Sequence, residues 1–344
     1  MLPPTPVRQR MRGFGLALAG VVWVTPDAVI VRWSAKIGGG TFWWIICVKC
    51  AVLFVAIMTF VTWQHGLRKI PAGILAGPAH IALVTCMQCL VTIGFPAAFL
   101  TTTAAKALLL ISLNPLWATM LGWRVLGDRL PRRTVLALVG AGCSVASIFI
   151  PPAVLRETAE EAVSSDGVGN WRGDLIAVAT GMALAGMITA NRFGAQRRPK
   201  ALMALGASLG SLVASLIALV FACTIASERE ARLEPAFWPL MLLDGICVAA
   251  CTVLALTFAP RYISGAEVAL VMLLEVVLGP LWVFLAGFEA PTQWTLIGGA
   301  GIIVVLGVHE LAALREARRL AGLPDYLPED RVDDAKCVIV TGLE

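Results

Sequence analysis

Asp27, Lys49, Lys106, Asp244 and Glu275 are ionisable residues set inside long apolar stretches of the sequence. Such a group in a hydrocarbon layer is strongly disfavoured unless it is paired or hydrated, so each is a candidate for handling an ion or a polar solute. At about 1.5 Å of rise per helical residue, the first four fall roughly 8 to 12 Å below one boundary of the layer, and Glu275 falls close to the midplane. Asp27, Lys49, Lys106 and Asp244 therefore share a depth. Two readings fit them: a charge cluster lining the outer part of a central cavity, or ion pairs that lock helices together. A midplane carboxyl such as Glu275 can exchange a proton as water or a cation comes and goes, which is what a proton-coupled site needs. Its plainer reading is a hydrogen-bonded carboxyl packed on a neighbouring helix. Trp23 beside Pro26 and Asp27, Gln88, and Asn114 add polar or aromatic groups in the same stretches.

The elements that must position these groups are membrane helices. The 344-residue chain is 58% hydrophobic and 14% charged, with a mean hydropathy of +0.83, too apolar for an ordinary water-soluble domain. Stretches of about 20 apolar residues fall at 13–32, 41–63, 74–97, 101–126 and 133–152, then at 173–192, 201–224, 236–259, 263–287 and 292–314. The fold class expected is all-α integral membrane, with these ten transmembrane helices as spans 1 to 10. An N-terminal segment (1–12), an acidic outer linker (153–172) and a polar tail (315–344) complete the chain.

Lys and Arg gather at one set of span ends, among them Arg8, Arg10, Arg12, Arg68, Lys69, Arg124, Arg197 and Arg261. The opposite ends hold only Arg32, Lys36, Arg156, Arg172, Arg229 and Arg232. Positive loops stay in the cytoplasm, so both termini are expected there, in a plasma (inner) membrane. The net charge of +5 is thus a topology signal. Basic residues scattered over several loops do not make the stripe that binds nucleic acid.

The two sets of five spans correspond. Gly13, Ala17, Ala19 and Arg32 recur 160 residues later as Gly173, Ala177, Ala179 and Arg192. Ala98, Ala105, Leu113, Asp128 and Gly140 match Ala259, Ala266, Leu274, Glu289 and Gly301 at nearly the same offset. Five spans is an odd number, so the halves (13–152 and 173–314) enter the membrane from opposite sides as inverted repeats. Such halves are the signature of many transporters, whose substrate sits where they meet. A cleaved signal peptide is the competing reading of the N-terminus; the matching internal span at 173–192 argues against it. Asn114 and Pro115 in span 4, with Gly279 and Pro280 in span 9, mark matched positions where a helix could break and free carbonyls for a binding region.

Three motifs read as decoys. Gly206, Ala207, Ser208, Leu209 and Gly210 spell G-x-S-x-G, but inside an apolar helix and without the strand-turn-helix setting of a serine nucleophile. An intramembrane hydrolase built on Ser208 would take His80 as its base. Cys47 with Cys50, and Cys86 with Cys89, have zinc-ligand spacing, yet both pairs lie in apolar spans where Cys behaves as a small hydrophobe. Neither a metal nor a cofactor is expected.

Residues 114–133, NPLWATMLGWRVLGDRLPRR, and 273–293, LLEVVLGPLWVFLAGFEAPTQ, resemble the paired signature of the drug/metabolite transporter superfamily, specifically its EamA-type members. In that family a proline or acidic residue opens the second part of the helix and a glycine-acid step closes it. Pro115 and Gly127-Asp128 take those places in the first half, Glu275 and Glu289 in the second. Departures from the pattern are Asp128 for the usual Glu, Val276 where proline is common, and Phe288 between Gly287 and Glu289. The resemblance covers 13–314. It implies ten helices in two inverted five-helix repeats, a cavity lined mainly by spans 1, 3, 4, 6, 8 and 9, and spans 5 and 10 at the periphery or in a homodimer contact. It also implies export of a small organic molecule, often amino-acid-like, by rocking of one repeat against the other around Asn114 and Glu275. An uncoupled facilitator would differ only in energetics.

Overall fold

The computed structural model describes residues 7–101, 110–127, 132–154, 171–197, 202–287 and 293–321. Lys106, Asp128 and Glu289 lie outside the described residues, as do nearly all of the linker and the end of the tail.

A chain this apolar has no water to satisfy its peptide groups, and helices satisfy them internally. Among the described residues all regular structure is helical. Six stretches among the described residues are long and apolar enough to cross a membrane: Gln9–Lys36, Phe42–His65, Pro78–Ala98, Trp171–Arg197, Met203–Thr224 and Phe237–Arg261. Shorter apolar segments run at Thr134–Ser147 and Leu296–His309. Val55, Leu136, Val139, Leu216, Val304 and Leu311 are exposed along the outside, a greasy surface suited to lipid and not to water. The chain is an integral, multi-pass membrane protein.

Span 1 divides into α1 (Val7–Val24) and α2 (Asp27–Lys36). Pro26 has no N–H to continue α1, and its carbonyl accepts from Val29 and Ile30 at 3.0 and 3.1 Å to start α2. α3 (Phe42–His65) follows, then a 3₁₀ turn at Leu67–Lys69, α4 (Ile70–Leu75) and α5 (Pro78–Thr101). The described part of span 4 turns at Ser112 and Leu113 before α6 (Asn114–Leu121), which runs on as a π-helical segment, Gly122–Leu126. α7 (Arg132–Val154), α8 (Trp171–Arg197), α9 (Met203–Thr224) and the short α10 (Ala226–Arg229) come next. Span 8 is α11 (Phe237–Leu242), a π-helical Leu243–Ala250 and α12 (Cys251–Phe258). Span 9 is α13 (Gly265–Met272) and α14 (Leu274–Leu285), and span 10 is α15 (Gln293–Ala321).

The interruption of span 9 differs from the sequence expectation. α14 runs through Gly279 and Pro280, and the break lies at Leu273. There the Leu273 N–H donates to Leu270 O at 3.2 Å and the Val276 N–H to Leu273 O at 3.1 Å. These three-residue bonds tighten one turn, which is enough to end one helix and start another without a proline. In span 4 the break and the proline coincide, because Pro115 stands in the first turn of α6, where its missing N–H leaves no bond unmade. The two breaks therefore fall at Ser112–Leu113 and at Leu273, matched in the two halves. Both spans also end on a glycine in the left-handed region, Gly127 at φ 69° and Gly287 at φ 75°, 160 residues apart.

Small residues bring the helices together, as packing in lipid requires. α3 lies along α9, α7 along α15, α5 along α8, and α1 along α12. At the α7–α15 crossing Gly140 faces Val305 and Gly301 faces Ser144. At the α3–α9 crossing the Ser208 hydroxyl donates to Phe54 O at 3.3 Å and the Ser215 hydroxyl to Cys47 O at 2.9 Å. The central core is built on α1, α8 and α13 around Ala17, Val21, Ile188, Val268 and Val271.

Candidate functional site

The charged residues meet. Asp27 opens α2, where the freed N–H groups after Pro26 favour a carboxylate. Lys49 lies two turns into α3, and its Nζ pairs with Asp27 and, at 3.0 Å, with Asp244 Oδ2. Asp244 belongs to the π-helical turn of span 8 and is fully buried, its Oδ1 with no hydrogen-bond donor. One lysine thus bridges two carboxylates and joins three different spans, leaving a net negative charge if all three are ionised. Trp23 anchors the same region, its indole Nε1 donating to the Cys247 carbonyl of that π turn. The loop above is clipped by Glu228, which accepts from Thr41 Oγ1 at 2.5 Å and from the Trp43 N–H at 3.2 Å at the start of α3.

Asn114 and Glu275 sit elsewhere, at the two helix breaks. α6 packs against α13 and α8, so the breaks of spans 4 and 9 come together deep in the bundle. Between them is a small cavity of about 50 Å³, lined by Asn114 and Glu275 together with Ser112, Ile111, Phe95, Leu184 and Met272. That volume holds a water or two, not an organic solute. Asn114 is 3% exposed, its Nδ2 lies 3.8 Å from Met272 Sδ, and its Oδ1 has no partner among the described residues. A buried, half-used amide and a carboxyl lining one small chamber are groups that a polar solute could satisfy.

Gln88 takes neither place. It is buried at the α5–α9 contact, over Gly210, and donates to Thr92 Oγ1 at 3.0 Å. Ser208 of the G-x-S-x-G run faces α3, whereas His80 lies against Gly194 of α8. Gly206 and Gly210 give α9 its close approach to α5. Cys47 and Cys50 are buried in α3, Cys86 is exposed on α5, and no three His, Cys, Asp or Glu side chains converge among the described residues.

One pairing had no local signal in the sequence. Arg10 near the start of α1 reaches Glu267 Oε1 of α13 at 2.7 Å, with the two residues 9% and 5% exposed. Glu267 also closes a capping box with Ser264: Ser264 N–H donates to Oε2 at 2.9 Å, and Glu267 N–H to Ser264 Oγ at 3.2 Å. The partners are 257 residues apart. The only hint available is that Glu267 stands 161 residues beyond Lys106, in the matched place of the other half.

No protein-family model and no curated protein matches the sequence. A solved structure titled only "Crystal structure of protein" is similar in fold, with a TM-score of 0.64 at 17% identity over 92% of this chain and 99% of that one. At that identity the likeness concerns the fold alone.

Proposed function

We propose that the chain is a secondary transporter of the drug/metabolite transporter type, with ten spans in two inverted five-span repeats. It exports a small organic, amino-acid-like metabolite across the plasma (inner) membrane by alternating access. The observation that carries this reading is the meeting of two interrupted helices, one from each half, at a small chamber bearing Asn114 and Glu275. Broken helices at matched positions are how repeat-built transporters expose backbone and side-chain polarity to a solute near the midplane. The resemblance of 114–133 and 273–293 to the family signature points the same way.

The reading assigns the chamber, too small for an organic solute, to a conformation without one. Asp27, Lys49 and Asp244 tie spans 1, 2 and 8 on the side with few basic loops, and Arg10 with Glu267 ties spans 1 and 9 on the basic side. Opening to either side means parting one of these sets, with the chamber widening to admit solute. Proton uptake and release at Glu275 would couple the cycle to the proton gradient. Lys106 is assigned to the same pathway by its depth in the sequence, and the termini to the cytoplasm by the basic loops.

Purified protein in liposomes tests the proposal. Counterflow of candidate amino-acid-like solutes is expected to saturate and to weaken when the proton gradient is collapsed. Saturable flux that ignores the gradient would leave a facilitator, and no flux for any solute that producing cells release would remove the transporter reading.

A further inference from the structure

A second, larger cavity shares no lining residue with the charge cluster or the chamber. It measures about 460 Å³ and lies where the end of α3, α4, the start of α9 and the end of α12 meet. Lys49 and His65 are sixteen residues apart on α3, so the cavity lies roughly 24 Å along the helix from the ion cluster. Its volume is that of a ligand pocket, on the usual scale of roughly 300 to 1,000 Å³. Its polar lining is one-sided: Lys69, Arg261, His65 and Gln64, with no carboxylate among the described lining residues.

The Arg261 side chain is held in place with no acidic partner among the described residues. Its guanidinium lies 4.6 Å over the Phe258 ring, and Nε approaches Met203 Sδ at 3.1 Å. A guanidinium fixed by a ring face keeps its remaining N–H groups for a bidentate oxyanion. Lys69 ends the 3₁₀ turn that follows Gly66, whose φ of 78° reverses the chain and brings the ammonium to the same mouth. Gly73 forms the floor, since a Cβ there would meet Leu202 at 2.6 Å. The lining comes from the ends of three apolar spans, Phe42–His65, Met203–Thr224 and Phe237–Arg261, which puts the cavity at the headgroup level of a bilayer.

We propose that this cavity binds a phosphate-class anion, with Arg261 and Lys69 as its charge partners. A lipid headgroup and a free phosphate share that chemistry, and the position at the span ends favours the lipid. The site goes beyond the transport reading, and its test is binding, which stands or falls without any measurement of flux.

The full-length protein in detergent is titrated with phosphatidylglycerol, with phosphatidylcholine and with inorganic phosphate, and bound adducts are counted by native mass spectrometry. Phosphatidylglycerol is expected to bind more tightly than phosphatidylcholine, and R261Q or K69Q to weaken it by roughly tenfold, the loss of one charge-assisted contact. R261K, which keeps the charge, is expected to recover part of the affinity, and an unchanged melting temperature in each variant reports an intact fold. Retention of inorganic phosphate alone, lost in R261Q, would keep the anion site and assign it to a soluble ligand. Equal binding of both lipids and no phosphate binding, or binding that R261Q and K69Q leave unchanged in folded protein, would overturn the proposal.

Discussion

Ser208 on α9 donates its hydroxyl to the Phe54 carbonyl on α3, and that contact is the exchanged copy of the one from Ser215 to Cys47. Moving Cys47 and Phe54 forward by 161 residues lands on Ser208 and Ser215. The α7–α15 crossing obeys the same rule: Gly140 meets Val305, Gly301 meets Ser144, and the same shift turns one contact into the other. Reciprocity of this kind, where i touches j′ and i′ touches j, is what a two-fold axis through a duplicated chain requires. The charges break it. At the matched offsets Asp27, Lys49 and Asp244 correspond to Met187, Gly210 and Leu83, so the ion cluster belongs to one side of the molecule alone. On the proposed reading of two repeated halves, a feature kept in only one of them is a reason to assign it to function.

The glycine crossings predict a paired stability effect. A Cβ at Gly301 would lie 2.6 Å from Ser144 Oγ, and one at Gly140 3.0 Å from Val305 Cγ2. Gly301→Leu and Gly140→Leu should each destabilise the protein by about 1 to 3 kcal/mol through overpacking, read as a lower melting temperature in detergent. Gly142, which faces open space, should accept Ala with no loss.

The two readings of the ion cluster part on a neutral variant. Lys49→Gln leaves Asp27 and the buried Asp244 uncompensated and should cost about 3 to 5 kcal/mol, seen as lost folded protein in the membrane. The triple change Asp27→Asn, Lys49→Gln, Asp244→Asn removes the unpaired charges and should restore the folded yield. Its flux in liposomes is expected to stay low. Full flux in the triple variant would make the cluster a lock between helices and nothing more.

Arg10 and Glu267 give a graded series. Glu267→Gln keeps a side chain able to close the capping box with Ser264 but loses the ion pair, whereas Glu267→Ala loses both. Melting temperatures should therefore fall in the order parent, Glu267→Gln, Glu267→Ala, with Ser264→Ala costing about 1 kcal/mol through the cap alone.

Much of the fold was legible because lipid allows so few solutions. The spans expected at 173–192 and 201–224 appear as α8 (Trp171–Arg197) and α9 (Met203–Thr224), each fixed by an apolar run and polar flanks. The split of span 1 could be read from Pro26. The break at Leu273 could not, since a leucine carries no signal for a tightened turn, and Pro280 drew attention one helix too far. Within the site, depth along a helix was enough to bring Asp27, Lys49 and Asp244 together, because equal depth is a one-dimensional property of the sequence. Which way a side chain faces is not. Gln88 turned out to lie over Gly210, and Arg10 found Glu267 across most of the chain, through tertiary packing that no local pattern encodes.

The central claim is that Asn114 and Glu275 mark the solute site, and metabolite export by living cells tests it most directly. Cells overproducing the protein should release at least one small amino-acid-like solute that cells lacking it retain. Cells with E275Q at equal membrane abundance should retain it too. An E275Q protein that exports like the parent, or identical media from producing and lacking cells, would contradict the account.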